Sequence, residues 1–163
     1  MTVTISENDI IESVADALQY ISYFHPMDYI RALGEAYEKE QGPAAKDAIA
    51  QILTNSRMCA EGHRPICQDT GTPIFYVHYP VGVSTIKLKG QIRSAMAEAT
   101  KRSYMRPNAV DAIYDKNTGN NLGGDDFPYV HFEEVEGDDL TIELMLKGGG
   151  CENVGRQYSL PDN

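Results

Sequence analysis

The chain has 163 residues, 42% hydrophobic and 23% charged, which is the make-up of a single folded domain and not of a disordered chain. Fourteen Lys and Arg stand against 24 Asp and Glu, a formal net charge of −10. Such a surface repels phosphate backbones and anionic lipid, so nucleic acid and membrane surfaces are poor partners for it. No apolar run approaches the ~20 residues that a membrane helix needs. Met1–Glu7 has neither a basic n-region nor an apolar h-region, so a cytoplasmic protein is expected. In that reducing setting Cys59, Cys67 and Cys151 are expected as thiols or metal ligands, not as disulfides.

In chain order, Ser6 and Asp9 have the spacing of a capping box. Ile10, Ile11, Val14, Ala17, Leu18 and Ile21 then recur at helical period, and Pro26 breaks that helix. Ile30, Leu33 and Tyr37 stripe a second helix that ends at Gly42-Pro43. Ala45, Ala48, Ile49, Ile52 and Leu53 stripe a third, which runs towards Cys59. All three stripes are expected to face a core between helices. Ile74–Tyr79 is aromatic and β-branched and reads as a strand. Lys89–Arg102 reads as a helix and Asn117–Phe127 as a loop. Tyr129–Val135 and Leu140–Lys147 read as a hairpin turning at Glu136–Asp139. The expected class is α+β: N-terminal helices, then a small mixed or antiparallel sheet with a packed helix.

Four segments can carry chemistry. Ile66-Cys67-Gln68-Asp69-Thr70-Gly71-Thr72-Pro73 sets a thiol, an amide, a carboxylate and a hydroxyl before the predicted strand. The thiolate suits iron or zinc, while Gln68 and Asp69 suit orienting hydroxyls or moving protons. A plain Asp-Thr-Gly turn beside a buried cysteine accounts for the same residues. An aspartic protease would need two such motifs, and one is present. In Lys147-Gly148-Gly149-Gly150-Cys151-Glu152-Asn153, three glycines let backbone N–H groups approach an anion closely, or simply make a flexible turn. Cys59, His63 and Cys67, with Cys151 as a fourth ligand, make a conceivable zinc set, although the spacing is not that of a common zinc knuckle. Of the basic run Lys101–Pro107, Lys101 and Arg102 read as a solvated helix end, whereas Arg106 suits a small carboxylate. His25, His78 and His131 read as packing or surface histidines.

Together, Ile66–Thr72, Arg106-Pro107-Asn108-Ala109-Val110, Asn117-Thr118-Gly119-Asn120-Asn121 and Lys147–Asn153 resemble the N-terminal domain, or alpha subunit, of the class I fumarate hydratases and the related L-tartrate dehydratases. The segments occur in that family's order, from Asn55 to the C-terminus. The resemblance implies a hydro-lyase with a [4Fe–4S] cluster held by three cysteines, whose fourth iron binds substrate. It implies Cys67 as one ligand, with Gln68, Arg106 and Gly150 contacting a dicarboxylate and Asp69 tied to proton transfer. Cys151 stands where many relatives have serine, and Cys59 matches no ligand of the family. The other two cluster cysteines and the base are implied to lie in a C-terminal domain or beta subunit. Residues 1–163 then read as a truncated N-terminal part, inactive alone, of a homodimeric enzyme that interconverts (S)-malate and fumarate. The alternatives are the alpha portion of a tartrate dehydratase, a non-catalytic interaction module on the same scaffold, and a zinc-stabilised fold.

Overall fold

A computed structural model describes residues 5–69, 72–111, 113–124 and 127–156, with only the backbone of 151–153. The first helix, α1 (Glu7–Tyr23), starts on the expected capping box. Ser6 Oγ accepts the Asp9 N–H at 3.2 Å, and the Asp9 carboxylate accepts the Ser6 N–H at 2.9 Å. Its period places Val14, Ala15 and Leu18 on one buried face. Beyond Pro26 come α2 (Met27–Lys39) and α3 (Pro43–Gly62), the latter with proline at its start, where no hydrogen bond is lost.

The stripes of α2 and α3 depart from expectation. α2 buries no residue fully, and α3 buries only Ser56 and Cys59. The two helices pack mainly on each other, so Ile30, Leu33, Tyr37, Ile49 and Leu53 are covered on one side and remain half-buried. The stripe of α1 reaches the main core because α1 packs against α4 and β5.

The strand expected at 74–79 is β1 (Thr72–Pro80), followed by α4 (Thr85–Lys101). That helix begins four residues before the expected Lys89, where Ser84 Oγ accepts the Lys87 N–H. A two-residue ribbon pairs β2 (Val110–Asp111) with β3 (Lys116–Asn117). The last strands, β4 (Tyr129–Val135) and β5 (Thr141–Lys147), lie close to where the sequence puts them.

They do not form a hairpin with each other. The sheet order is β4-β1-β5, with β1 parallel to β4 and antiparallel to β5. Stepping over one strand requires about 10 Å, and the five residues between Val135 and Thr141 reach about 16 Å when extended. The apolar demand of β1 decides the order. Phe75 and Val77 are 0% and 1% exposed and need neighbours on both sides. The registers supply them: Val130–Phe75–Leu144 and Phe132–Val77–Ile142 form two cross-strand rows on the inner face.

α1 and α4 cover that inner face. Leu18, Phe75, Val77, Ile92 and Met96 make the core, and each large side chain contributes about 1.5–3 kcal/mol on burial. Arg102, at the end of α4, holds Glu12 of α1 through two 2.8 Å contacts and Glu98 through a third, so it clamps the two helices together and is no merely solvated helix end. Between α1 and β5 lies a cleft of about 490 Å³, walled by Ile10, Val14, Phe75, Ile142 and Leu144. Among the described residues no helix is long and apolar enough to cross a membrane.

Candidate functional site

The site begins where α3 stops. His63 takes the left-handed backbone (φ 49°) as the C-cap, and Pro65 forbids further helix. The chain is then pinned twice: the Ile66 N–H donates to Ser22 O at 2.9 Å, and Asn55 Nδ2 donates to Ile66 O at 3.0 Å. Cys67 follows at once, so its exposed side chain projects from a fixed backbone. Its sulfur lies 3.5 Å from Gln68 Oε1 and accepts the Asp69 N–H at 3.5 Å. Thr70 and Gly71 lie outside the described residues.

A second loop reaches over the first. After α4 the chain turns through Ser103 (φ 63°) and anchors on Met105, which is 2% exposed. Arg106 Nε then donates to Cys67 O at 3.2 Å, and Asn108 Nδ2 donates to Gln68 O at 2.6 Å. The second loop is itself held from behind. Asn121 is buried, with φ 58°, and accepts the N–H groups of Asn108 and Ala109 at 2.9 and 3.1 Å. Its amide donates to Arg106 O at 2.8 Å and Thr100 Oγ1 at 3.0 Å.

The third contribution comes from the far end of the sheet. Because β5 runs antiparallel to β1, Lys147 pairs with Thr72 and the glycine run arrives beside Asp69. The Gly150 N–H donates to Asp69 Oδ2 at 2.9 Å. The glycine run is therefore not a free turn: Gly149 opens a short helix, α5 (Gly149–Val154). A Cβ on Gly150 would meet Asp69 Oδ2 at 3.6 Å, an ordinary contact, so Asp69 does not itself demand glycine there.

Cys67, Gln68, Asp69, Arg106 and Gly150 are thus brought together. Asn55, Cys59, Arg64, Cys67, Gln68 and Arg106 line a polar groove of about 700 Å³. The cleft beside α1 is far more apolar: among the described residues its polar lining is Asp9 and Ser13, with no cation for a carboxylate.

The zinc set does not assemble. Cys59 is buried, and its thiol faces Asn55 Oδ1 at 3.6 Å and Pro65 O at 3.7 Å. His63 stacks on Tyr23, and among the described residues no three His, Cys, Asp or Glu side chains could hold a metal ion. The Cys151, Glu152 and Asn153 side chains lie outside the described residues. The remaining histidines have local partners: His25 Nδ1 with Ser56 Oγ, His78 with Glu133, and His131 stacked on Tyr76. Burial holds His25 below its ordinary pKa. The chemistry of the donor set therefore fits one thiolate, from Cys67. One exposed thiolate can hold at most one corner of an iron–sulfur cluster.

The sequence reading assigned no role to Asn55, Asn108 or Asn121. For Asn108 and Asn121 the signal available was an asparagine in a loop beside a chemical motif, a residue type that caps turns and tolerates a left-handed backbone; Asn55 lies inside α3, where no such signal exists.

Residues 11–163 match the family model described as fumarate hydratase (Fumerase). A Geobacillus stearothermophilus protein named as a class I fumarate hydratase is 46% identical over 137 residues, which cover 83% of this chain and 26% of that protein. The L(+)-tartrate dehydratase alpha subunit of Escherichia coli (strain UTI89) is 35% identical, covering 94% of this chain and 51% of its own length. A Methanocaldococcus jannaschii protein named for the same subunit is 30% identical, covering 89% and 52%. The chain thus spans from about a quarter to about half the length of these curated relatives. With nearly its whole length matched, this chain belongs to the fumarate hydratase family that includes the class I fumarate hydratases and the L(+)-tartrate dehydratase alpha subunits.

Proposed function

We propose that residues 1–163 form the N-terminal part of a [4Fe–4S]-dependent hydro-lyase that interconverts (S)-malate and fumarate, inactive without the remainder of the enzyme. The observation that carries this reading is the convergence of Cys67, Gln68, Asp69, Arg106 and Gly150 from three separate stretches of chain. Cys67 would hold one corner of the cluster, and the other thiolates would come from a C-terminal domain or a beta subunit. When bound, such a cluster supplies a Lewis acid for a substrate hydroxyl.

The chain's own residues bind and orient. Arg106 suits one substrate carboxylate through charge-assisted hydrogen bonds, since a guanidinium carries its N–H donors in one planar fork. The Gln68 amide reads a carboxylate or hydroxyl oxygen. The Gly150 N–H holds one oxygen of the Asp69 carboxylate, and Asp69 takes or returns a proton during loss of water. The base that removes the C–H proton would come from a C-terminal domain or a beta subunit. In the cytoplasm a homodimer of the full protein would carry the activity.

The printed names of two relatives support a second reading, the alpha portion of an L-tartrate dehydratase. Anaerobic reconstitution of this chain and of the protein extended to its native stop codon tests both. About four iron and four sulfide per extended chain, with malate or tartrate dehydration, upholds the hydro-lyase. No iron and no dehydration of either acid overturns it in favour of an interaction module on the same scaffold.

A further inference from the structure

Arg106 and Cys67 lie 39 residues apart, and Asn108 and Gln68 lie 40 apart, yet each pair is joined by one hydrogen bond. Nothing local in the sequence sets that distance. The loop that carries Arg106 and Asn108 leaves α4 after a left-handed turn and contains Pro107, which has no N–H with which to anchor itself. Thr118 holds Ala109 O through its N–H and hydroxyl, and one buried side chain holds both ends of the Arg106–Ala109 stretch. Asn121 is 5% exposed and uses both ends of its amide: the oxygen takes the N–H groups of Asn108 and Ala109, and the nitrogen gives to Arg106 O and Thr100 Oγ1. Thr100 Oγ1 in turn donates to Met96 O at 2.8 Å inside α4, so the clamp is tied to the helical core. A second asparagine, Asn117, gives to Pro107 O from the same segment.

We propose that Asn121 is a positioning residue of the site. It fixes the Arg106–Ala109 backbone so that Arg106 and Asn108 hold the two carbonyls of the Cys67-Gln68 loop. The arrangement is a chain of three links: core to Asn121, Asn121 to the Arg106 loop, and that loop to the Cys67 loop. Asparagine suits the place for two reasons. It tolerates φ 58°, and it alone among small residues combines a double acceptor with a double donor in one plane. Aspartate would keep the acceptor and set a charge against the Arg106 carbonyl. The catalytic part of this inference rests on the hydro-lyase reading above; the structural part does not.

The test uses the protein at native length, as wild type, N121G and N108A. Glycine keeps the left-handed backbone and deletes every bond of the clamp. N108A cuts only the last link, to Gln68 O, and leaves the Asn121 bonds in place; should N121G fail to fold, N121D, which keeps the acceptor and loses the donors, takes its place with the same expected rise in KM. In the cluster-loaded enzyme the KM for malate should rise about tenfold to hundredfold in both variants, the effect of a misplaced binding group, with kcat lowered less and iron per chain unchanged. An unchanged KM with a lowered melting temperature would reduce Asn121 to a structural residue and overturn the proposal. In the cluster-free protein, hydrogen exchange of the Asn108 and Ala109 amides, which donate to Asn121 Oδ1, should quicken at least about fivefold in N121G, the least expected from loss of that acceptor. Exchange at the wild-type rate would also overturn it. A wild type that takes up no iron and dehydrates neither malate nor tartrate would sink the hydro-lyase reading, and the exchange result would still decide the clamp.

Discussion

Gly150 and Asp69, 81 residues apart, meet through one hydrogen bond: the Gly150 N–H gives 2.9 Å to Asp69 Oδ2. The bond exists because β5 returns along β1 and delivers the glycine run to the start of that strand. It satisfies one oxygen of a carboxylate that the proposed chemistry uses for a proton, and it leaves a contact of 3.6 Å where a side chain on Gly150 would begin.

The Asp69 proposal separates folding from chemistry. Asp69→Asn keeps an oxygen that can accept the Gly150 N–H, so the melting temperature should move little. Dehydration by the cluster-loaded, native-length protein should fall about 10²–10⁴-fold, the usual value of a proton-transfer group. Full activity in this variant would leave Asp69 with no role beyond holding the loop.

The two described cysteines should behave oppositely. Cys67→Ser exchanges an exposed thiol for a hydroxyl that holds iron poorly, so iron and sulfide per reconstituted chain should drop sharply. Cys59→Ser changes a buried thiol that faces Asn55 and Pro65. It should leave the iron content at the wild-type level. Equal losses from both variants would remove the distinction drawn between them.

The central position of β1 makes a strong demand on the core. Phe75 is 0% exposed and sits between Val130 and Leu144. Phe75→Ala should cost about 3–5 kcal/mol in urea unfolding, through lost burial and the cavity left behind. Tyr129→Ala, on the exposed outer face of an edge strand, should cost about 1 kcal/mol or less.

Acid should loosen the contact between α1 and α4. The Arg102 guanidinium holds the Glu12 carboxyl below its ordinary pKa of 4.5. A carboxyl lowered in the folded state contributes stability that is complete above 4.5 and is lost as pH falls through the lower folded value. Urea unfolding between pH 7 and pH 3 should show that loss in the wild type. Glu12→Gln, which has no charge to lose, should give a shallower dependence over the same range. Identical slopes would mean that the ion pair adds nothing in water.

Much of this molecule is legible locally. The capping box at Ser6 and Asp9, the breaks at Pro26 and Gly42-Pro43, and the strand character of Ile74–Tyr79 each depend on neighbouring residues, and each stands where the sequence reading puts it. The identities of Cys67, Gln68, Asp69, Arg106 and Gly150 as candidates come from motifs that are themselves short. The zinc set shows the limit of spacing alone, because α3 ends at Gly62 and turns His63 towards Tyr23.

What the residues alone determined is therefore which segments fold as helix or strand and which side chains carry chemistry, since backbone propensity, capping and hydrophobic period act over a few residues. Only the tertiary structure decided the strand order, because the turn at Glu136–Asp139 permits a hairpin as readily as a step across β1, and burial of Phe75 and Val77 chose the latter. The same choice set Gly150 on Asp69, while the packing of α4 set Arg102 on Glu12 and carried the Arg106 loop to Cys67. Those contacts join residues 39 to 90 positions apart, and no local preference reaches that far.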